Sequence, residues 1–196
     1  MRIRLIFFVL LFTALNIHAE NGRSLWLRAK STGTVSVVCA KTSPTLAIAK
    51  EELEQGWQGK NGAKIALTIT KDKAIKGDGF KLSENEVQAN TELGILYGAY
   101  ELLRRQQTGQ AISSEISNPS YERRVLNHWD NLDGSIERGY AGQSIFWHDE
   151  AKGFAVTEKD RTLWKEYARA NASIGINGAV LNNVNASQLM LTTECL

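Results

Sequence analysis

Two cysteines, two prolines and three histidines in 196 residues exclude several classes at once. Cys39 and Cys195 are too few for a zinc cluster or a disulfide framework. Cys39 closes a VSVVC strand pattern and reads as a small buried hydrophobe. His128 and His148, the only histidines beyond residue 19, are a thin supply for a metal cluster. Two prolines exclude a Pro-rich linker or a collagen-like chain. Charge of one sign is lacking too. Arg2 and Arg4 account for the whole excess of 23 basic over 21 acidic residues, so the chain beyond residue 19 is formally neutral. No global basic field remains to attract nucleic acid. A long apolar run is also missing: Leu5 to Leu15 is shorter than the ~20 residues of a membrane span.

That run is flanked by Arg2 and Arg4 and followed by Ala19. It reads as a secretory signal over residues 1–19, with cleavage before Glu20 and export to the periplasm or the medium. Ile17 is a little large for the −3 position, and an uncleaved N-terminal anchor is the alternative. No membrane span is expected after cleavage.

At 43% hydrophobic and 22% charged residues the chain is ordinarily globular. Its length suits one domain or a little more, at ~150 residues each. The organisation reads as two blocks, 20–116 and 117–196. In the first, Ser24–Arg28 and Thr34–Cys39 are expected strands around a Ser-Thr-Gly turn. Ser43 before Pro44 starts a helix with Leu46, Ala49, Leu53 and Trp57 on one face and Glu51, Glu52 and Glu54 largely on the other. Lys64–Thr70 alternates at period two. Phe80–Leu82 and Glu86–Ala89 make a hairpin. Asn90 or Thr91 caps a helix with Leu93, Leu96, Tyr97, Tyr100 and Leu103 on one stripe and Arg104 and Arg105 in its last turn. This is a small two-layer α/β unit, followed by a polar boundary over residues 106–120.

The second block reads strand, long Gly-rich loop, helix from Thr157 or Glu158, and strand Ala179–Leu181. It is a βαβ pattern whose aromatic and polar residues collect at strand C-terminal ends, where (β/α)8 barrels place their sites. Trp129 lies there beside Asp130, Asn131 and Asp133, and Phe146 and Trp147 follow on the same loop. Flat rings beside amides and carboxylates suit a sugar; burial of Trp129 in a core, with the polar residues capping the loop, is the competing reading. His128 lacks a nucleophile in a recognised context and fits a structural imidazole bonded to neighbouring backbone better than a catalytic one. Arg123, Arg124 and Arg138 could meet an anion, although Arg138 beside Glu137 reads first as a loop ion pair. Asn183 and Asn185 share one face of an extended segment.

Three words in this block are specific. Residues 124–133 (RVLNHWDNLD), 136–142 (IERGYAG) with 144–147 (SIFW), and 181–186 (LNNVNA) closely resemble the opening of the catalytic barrel of the family 67 α-glucuronidases. Leu25–Arg28 (LWLR) and residues 89–98 (ANTELGILYG) resemble that family's N-terminal α/β domain. The resemblance implies a fold: an auxiliary α/β domain, then the first βαβ of an incomplete (β/α)8 (TIM) barrel. It implies an activity, removal of glucuronic acid, often 4-O-methylated, from xylooligosaccharides with inversion. It implies no cofactor, since inversion uses two carboxyl groups. The substrate partners would be oligosaccharides derived from glucuronoxylan. The oligomeric state stays open, a homodimer of the full-length parent included.

The family's chains run to several hundred residues, and its catalytic carboxylates lie on later strands. No catalytic residue is therefore carried over, and this chain by itself is expected to be an inactive N-terminal portion. Trp129 is the first candidate for sugar contact, with Asn131, Asn183 and Asn185 for hydroxyl or loop-positioning roles and Arg138 for loop order. The alternatives are an exported module that binds carbohydrate without cleaving it, and a short complete hydrolase using Asp130 and Asp133.

Overall fold

The computed structural model describes residues 25–28, 30–148, 155–182 and 188–193. The expected signal segment, Asn183, Asn185 and Cys195 lie outside them. Strand β1 (Val35–Cys39) leads through helix α1 (Pro44–Gly56) to β2 (Ala63–Ile69). A hairpin of β3 (Phe80–Ser83) and β4 (Glu86–Ala89) follows, then helix α2 (Glu92–Thr108) and β5 (Glu115–Ser117). These five strands form one sheet in the order β1-β2-β4-β3-β5. β1, β2 and β4 are parallel, and β3 runs antiparallel to both β4 and β5.

Register explains the core. Val37 pairs with Ile65, and Leu67 with Val87, which pairs in turn with Leu82. Period two puts all of these on one face, where they are buried against Leu46, Ala49 and Leu53 of α1 and Leu96, Tyr100 and Leu103 of α2. The other face carries Ser36, Lys64, Thr68, Gln88 and Lys81. Ser43 caps α1 and Thr91 caps α2, each accepting a backbone N–H from three residues on. Helix α2 lies close over the β3–β4 hairpin because two of its residues lack a Cβ. A Cβ on Gly94 would stand 2.6 Å from the Gly79 carbonyl oxygen, and one on Gly98 would stand 2.4 Å from Val87 Cγ1.

Beyond this sheet, β6 (Val125–Asn127), α3 (Glu158–Ala172) and β7 (Gly178–Val180) form a βαβ unit with β6 and β7 parallel. Thr157 opens α3 with a capping box: its hydroxyl accepts from the Asp160 N–H, and the Asp160 carboxylate accepts from the Thr157 N–H. The architecture is mixed α/β throughout.

Side chains join the two units. Arg169 of α3 donates to both oxygens of Glu52 of α1, at 2.5 and 2.8 Å. Arg124, at the start of β6, donates to Asp78 Oδ2 (3.1 Å) and to the carbonyls of Gly175 (2.6 Å) and Tyr121 (2.7 Å). Its guanidinium also lies over the Tyr97 ring, 5.6 Å from the centroid.

Four expectations change. Leu25–Arg28 forms a 3-10 turn, not a strand. Adjacent residues Trp26 and Leu27 both pack on the core, which the alternation of a strand would forbid. The boundary segment contains β5, an edge strand whose three residues are all exposed and so show no apolar alternation. Glu52 is buried instead of solvated, because α3 covers it from more than a hundred residues away. Leu93 leaves the stripe and is exposed.

Candidate functional site

The loop after β6 is built inward from its backbone. The His128 N–H donates to the Val180 carbonyl at 2.8 Å, extending the β6–β7 pairing one residue past the strand. Trp129 follows. Its carbonyl accepts from Glu137 N–H (2.8 Å), which folds the loop back on itself. Glu137 adopts φ 58°, left-handed and uncommon for a residue with a side chain. Asn131 holds the inside of this turn, donating to Glu137 O (2.8 Å) and to Ser135 Oγ (3.0 Å).

Asp130 is buried, at 2% exposure, and a buried carboxylate needs partners. Ser144 Oγ donates to it at 2.5 Å. The same oxygen accepts the backbone N–H groups of Phe146 (3.0 Å) and Trp147 (2.9 Å). Ser144 therefore ties the far end of the loop to its start. His128 stands between Asp130 and α3. Its Nδ1 lies 3.9 Å from Asp130 Oδ1, and its Nε2 is 2.5 Å from the Tyr167 hydroxyl. Burial raises the Tyr167 pKa, and the charge of Asp130 adds to that. Phe146 meets the His128 and Tyr167 rings edge-on, at centroid distances of 5.0 and 5.3 Å. Two indoles fasten the loop to its surroundings: Trp164 Nε1 donates to Ile145 O and Trp147 Nε1 to Leu181 O, both at 2.7 Å.

His148 Nε2 lies 3.0 Å from Asp160 Oδ1. The Thr157 hydroxyl and N–H, with His148 adding, hold the Asp160 carboxyl at about 2. Asp133 is also held below its ordinary value, first by the Ser135 hydroxyl and then by the Ser135 N–H. Among the described residues no three His, Cys, Asp or Glu side chains gather as a metal site requires. The result is a loop cross-tied by hydrogen bonds, with one half-exposed indole, Trp129, at its strand end.

Residues 103–196 match the glycosyl hydrolase family 67 middle domain, which takes in this whole loop. A probable alpha-glucuronidase A of Aspergillus terreus is 36% identical over 218 residues, covering 90% of this chain and 25% of that protein. A probable alpha-glucuronidase A of Neosartorya fischeri is 45% identical over 119 residues, covering 58% and 14% of the two chains. The chain is family 67-like. It spans about a quarter of the length of the Aspergillus terreus relative. A solved structure, a GH138 enzyme targeting pectin rhamnogalacturonan II, superposes with a TM-score of 0.52 at 20% identity, covering 76% of this chain and 24% of that one. That likeness is one of fold.

Against this family 67-like frame, the expected site residues separate. Trp129 is 41% exposed at the end of β6. Asn131 is spent on the loop's own turn. Arg138 points outward, 86% exposed, with Nε 3.8 Å from Glu137 Oε1. Arg124 is consumed by the contacts between the units. The His128 side chain bonds a tyrosine on α3 and not the neighbouring backbone. Sequence reasoning missed Tyr167 and Ser144 as the partners of His128 and Asp130. The Ser144 spacing to two following N–H groups is a local signal that could have been read. The Tyr167–His128 pairing bridges 39 residues and has none.

Proposed function

We propose that this chain serves an α-glucuronidase that hydrolyses the bond between (4-O-methyl-)glucuronic acid and xylooligosaccharides derived from glucuronoxylan. The observation that carries the reading is the 36% identity to an alpha-glucuronidase across 90% of the chain. In this reading β6, α3 and β7 are the first βαβ of a (β/α)8 barrel, behind an auxiliary α/β domain. The exposure of Val125, Leu126 and Val180 supports it, since a closed barrel would bury such side chains. Residues 1–19 direct export to the periplasm or the medium.

Inversion needs an acid and a base on opposite faces of the sugar, roughly 6.5–9.5 Å apart, with a water between. Asp130 and Asp133 do not fit those roles. Asp130 is buried under Ser144. Hydrogen bonds from Ser135 lower the Asp133 pKa, the opposite of what a general acid requires, and they make it a weaker base as well. We place the acid and base on later strands of the full enzyme and give this portion the floor of the sugar pocket, with Trp129 stacking on a ring face.

The test is release of glucuronic acid from aldouronic xylooligosaccharides by the 196-residue chain and by its gene read beyond codon 196. Release by the longer product alone is the expected result, with KM raised in its Trp129→Ala variant. Release by the short chain would refute the placement of the carboxylates. Silence from both, each shown to be folded, would favour a non-catalytic carbohydrate-binding module.

A further inference from the structure

His128, Trp129 and Asp130 run in extended form past the end of β6, and their side chains alternate. His128 and Asp130 face α3 and the returning loop, where Nδ1 of one stands 3.9 Å from Oδ1 of the other. Trp129 faces the opposite way. Its carbonyl is fixed by the Glu137 N–H, and each flanking side chain is fixed separately. Ser144 holds Asp130. The Tyr167 hydroxyl holds the His128 ring from α3 at 2.5 Å, and Phe146 meets that ring edge-on. The half-exposed indole therefore takes its direction from two anchored neighbours.

The direction of the proton between Tyr167 and His128 follows from the groups around them. Burial raises the Tyr167 pKa, so the phenol keeps its hydrogen. The Asn171 amide, one turn further along α3, already reaches the phenol oxygen, which leaves that hydrogen for His128 Nε2. An imidazole nitrogen that accepts carries no hydrogen, so the ring hydrogen sits on Nδ1. There it faces the Asp130 carboxylate, whose charge favours it. Phenol, imidazole and carboxylate thus agree on one tautomer and one ring orientation. Flipped by half a turn, the ring would present carbon to both partners.

We propose that Tyr167 is a positioning residue for the sugar-stacking indole: it locks His128 in one tautomer and one orientation, and so sets the angle at which Trp129 meets a pyranose face. Tyr167 acts through two residues and touches no sugar, and its role rests on the stacking role proposed for Trp129. A stacked ring is held alike before and during bond cleavage, so a turned indole weakens binding and leaves the chemical step alone.

The experiment has a spectroscopic and a kinetic arm. In the 196-residue chain, ring-nitrogen NMR of neutral His128 reports which nitrogen carries the hydrogen. The parent should show Nδ1–H alone. Tyr167→Phe, which keeps the ring and loses only the hydroxyl, should show a mixture of both tautomers. In the product of the gene read beyond codon 196, the same substitution should raise KM for aldotetraouronic acid by roughly threefold to tenfold, the effect of losing one hydrogen bond, with kcat within about twofold of the parent. Trp129→Ala should raise KM at least as far, and adding Tyr167→Phe to it should change nothing more. A parent with the hydrogen on Nε2, a Tyr167→Phe chain with the parent's tautomer, or a Tyr167→Phe effect on KM that persists beside Trp129→Ala would overturn the proposal. So would an unchanged KM in Tyr167→Phe against a raised one in Trp129→Ala. A longer product that is inactive, or whose KM ignores Trp129→Ala, would instead remove the stacking role itself, and the proposal with it.

Discussion

Arg169→Ala tests whether the helix of the βαβ unit is held by the sheet unit. The substitution removes two hydrogen bonds from Glu52, a carboxylate only 7% exposed, and leaves it buried without its cation. Removing one partner of a fully buried pair costs about 3–5 kcal/mol, and of a surface pair about 0–1 kcal/mol. The Arg169 side chain is 38% exposed and keeps part of its hydration, so this pair falls between. We expect a loss of about 2–3 kcal/mol, or about 4–12 °C in Tm for a chain of this size. Glu52→Gln preserves the shape and removes the charge, so it should cost less. The assay is a cycle of parent, Arg169→Ala, Glu52→Gln and the double variant, unfolded in urea and followed by circular dichroism. The double variant should be destabilised by clearly less than the two singles together, since neither orphaned charge remains. If the single losses add to within about 0.5 kcal/mol, the two residues are not coupled and the docking argument fails.

Gly94→Ala should destabilise by about 1–3 kcal/mol despite alanine's better helix propensity, because the new methyl group would press on the Gly79 carbonyl and Ala89; chemical denaturation measures it. Ser144→Ala leaves buried Asp130 without its donor and two loop N–H groups without an acceptor. A cost of about 1–3 kcal/mol, with faster amide exchange across 130–147, is the expected outcome. Asp160 has its pKa lowered by folding, so its contribution is present above about pH 4, the unfolded value, and is lost as the pH falls toward about 2. A carboxyl NMR titration should place its midpoint near 2, and Thr157→Val should move that midpoint upward.

Much of the sheet unit was legible because its signals are local. Ser43 before Pro44, Thr91 before Glu92 and the alternation of residues 64–70 each act over a few residues, and each appears where expected. The 25–28 segment misled because WL beside charged and polar residues suits a strand as well as a turn, and only the core it packs on decides between them. At the site, the strand end was readable from pattern, while pattern left Trp129 between sugar contact and core. The side chains that fix the loop were not. Tyr167 finds His128, and Arg169 finds Glu52, through a helix that returns from far along the chain. The roles of Asn131 and Arg138 divided within the loop itself, since the Asn131 amide found acceptors inside its own turn while the Arg138 guanidinium faces water.

The Arg124 guanidinium touches four separate stretches of chain: the Tyr121–Glu122 carbonyls, Gly175 before β7, Asp78 before β3, and the Tyr97 ring on α2. Its planar fork meets all of these directions at once, which a lysine's single ammonium cannot. The junction is therefore robust on one side and brittle on the other. A change at any one of its neighbours removes a single spoke and leaves the rest in place. A change at residue 124 releases every spoke together, so sequence drift has room around this hub and almost none at it.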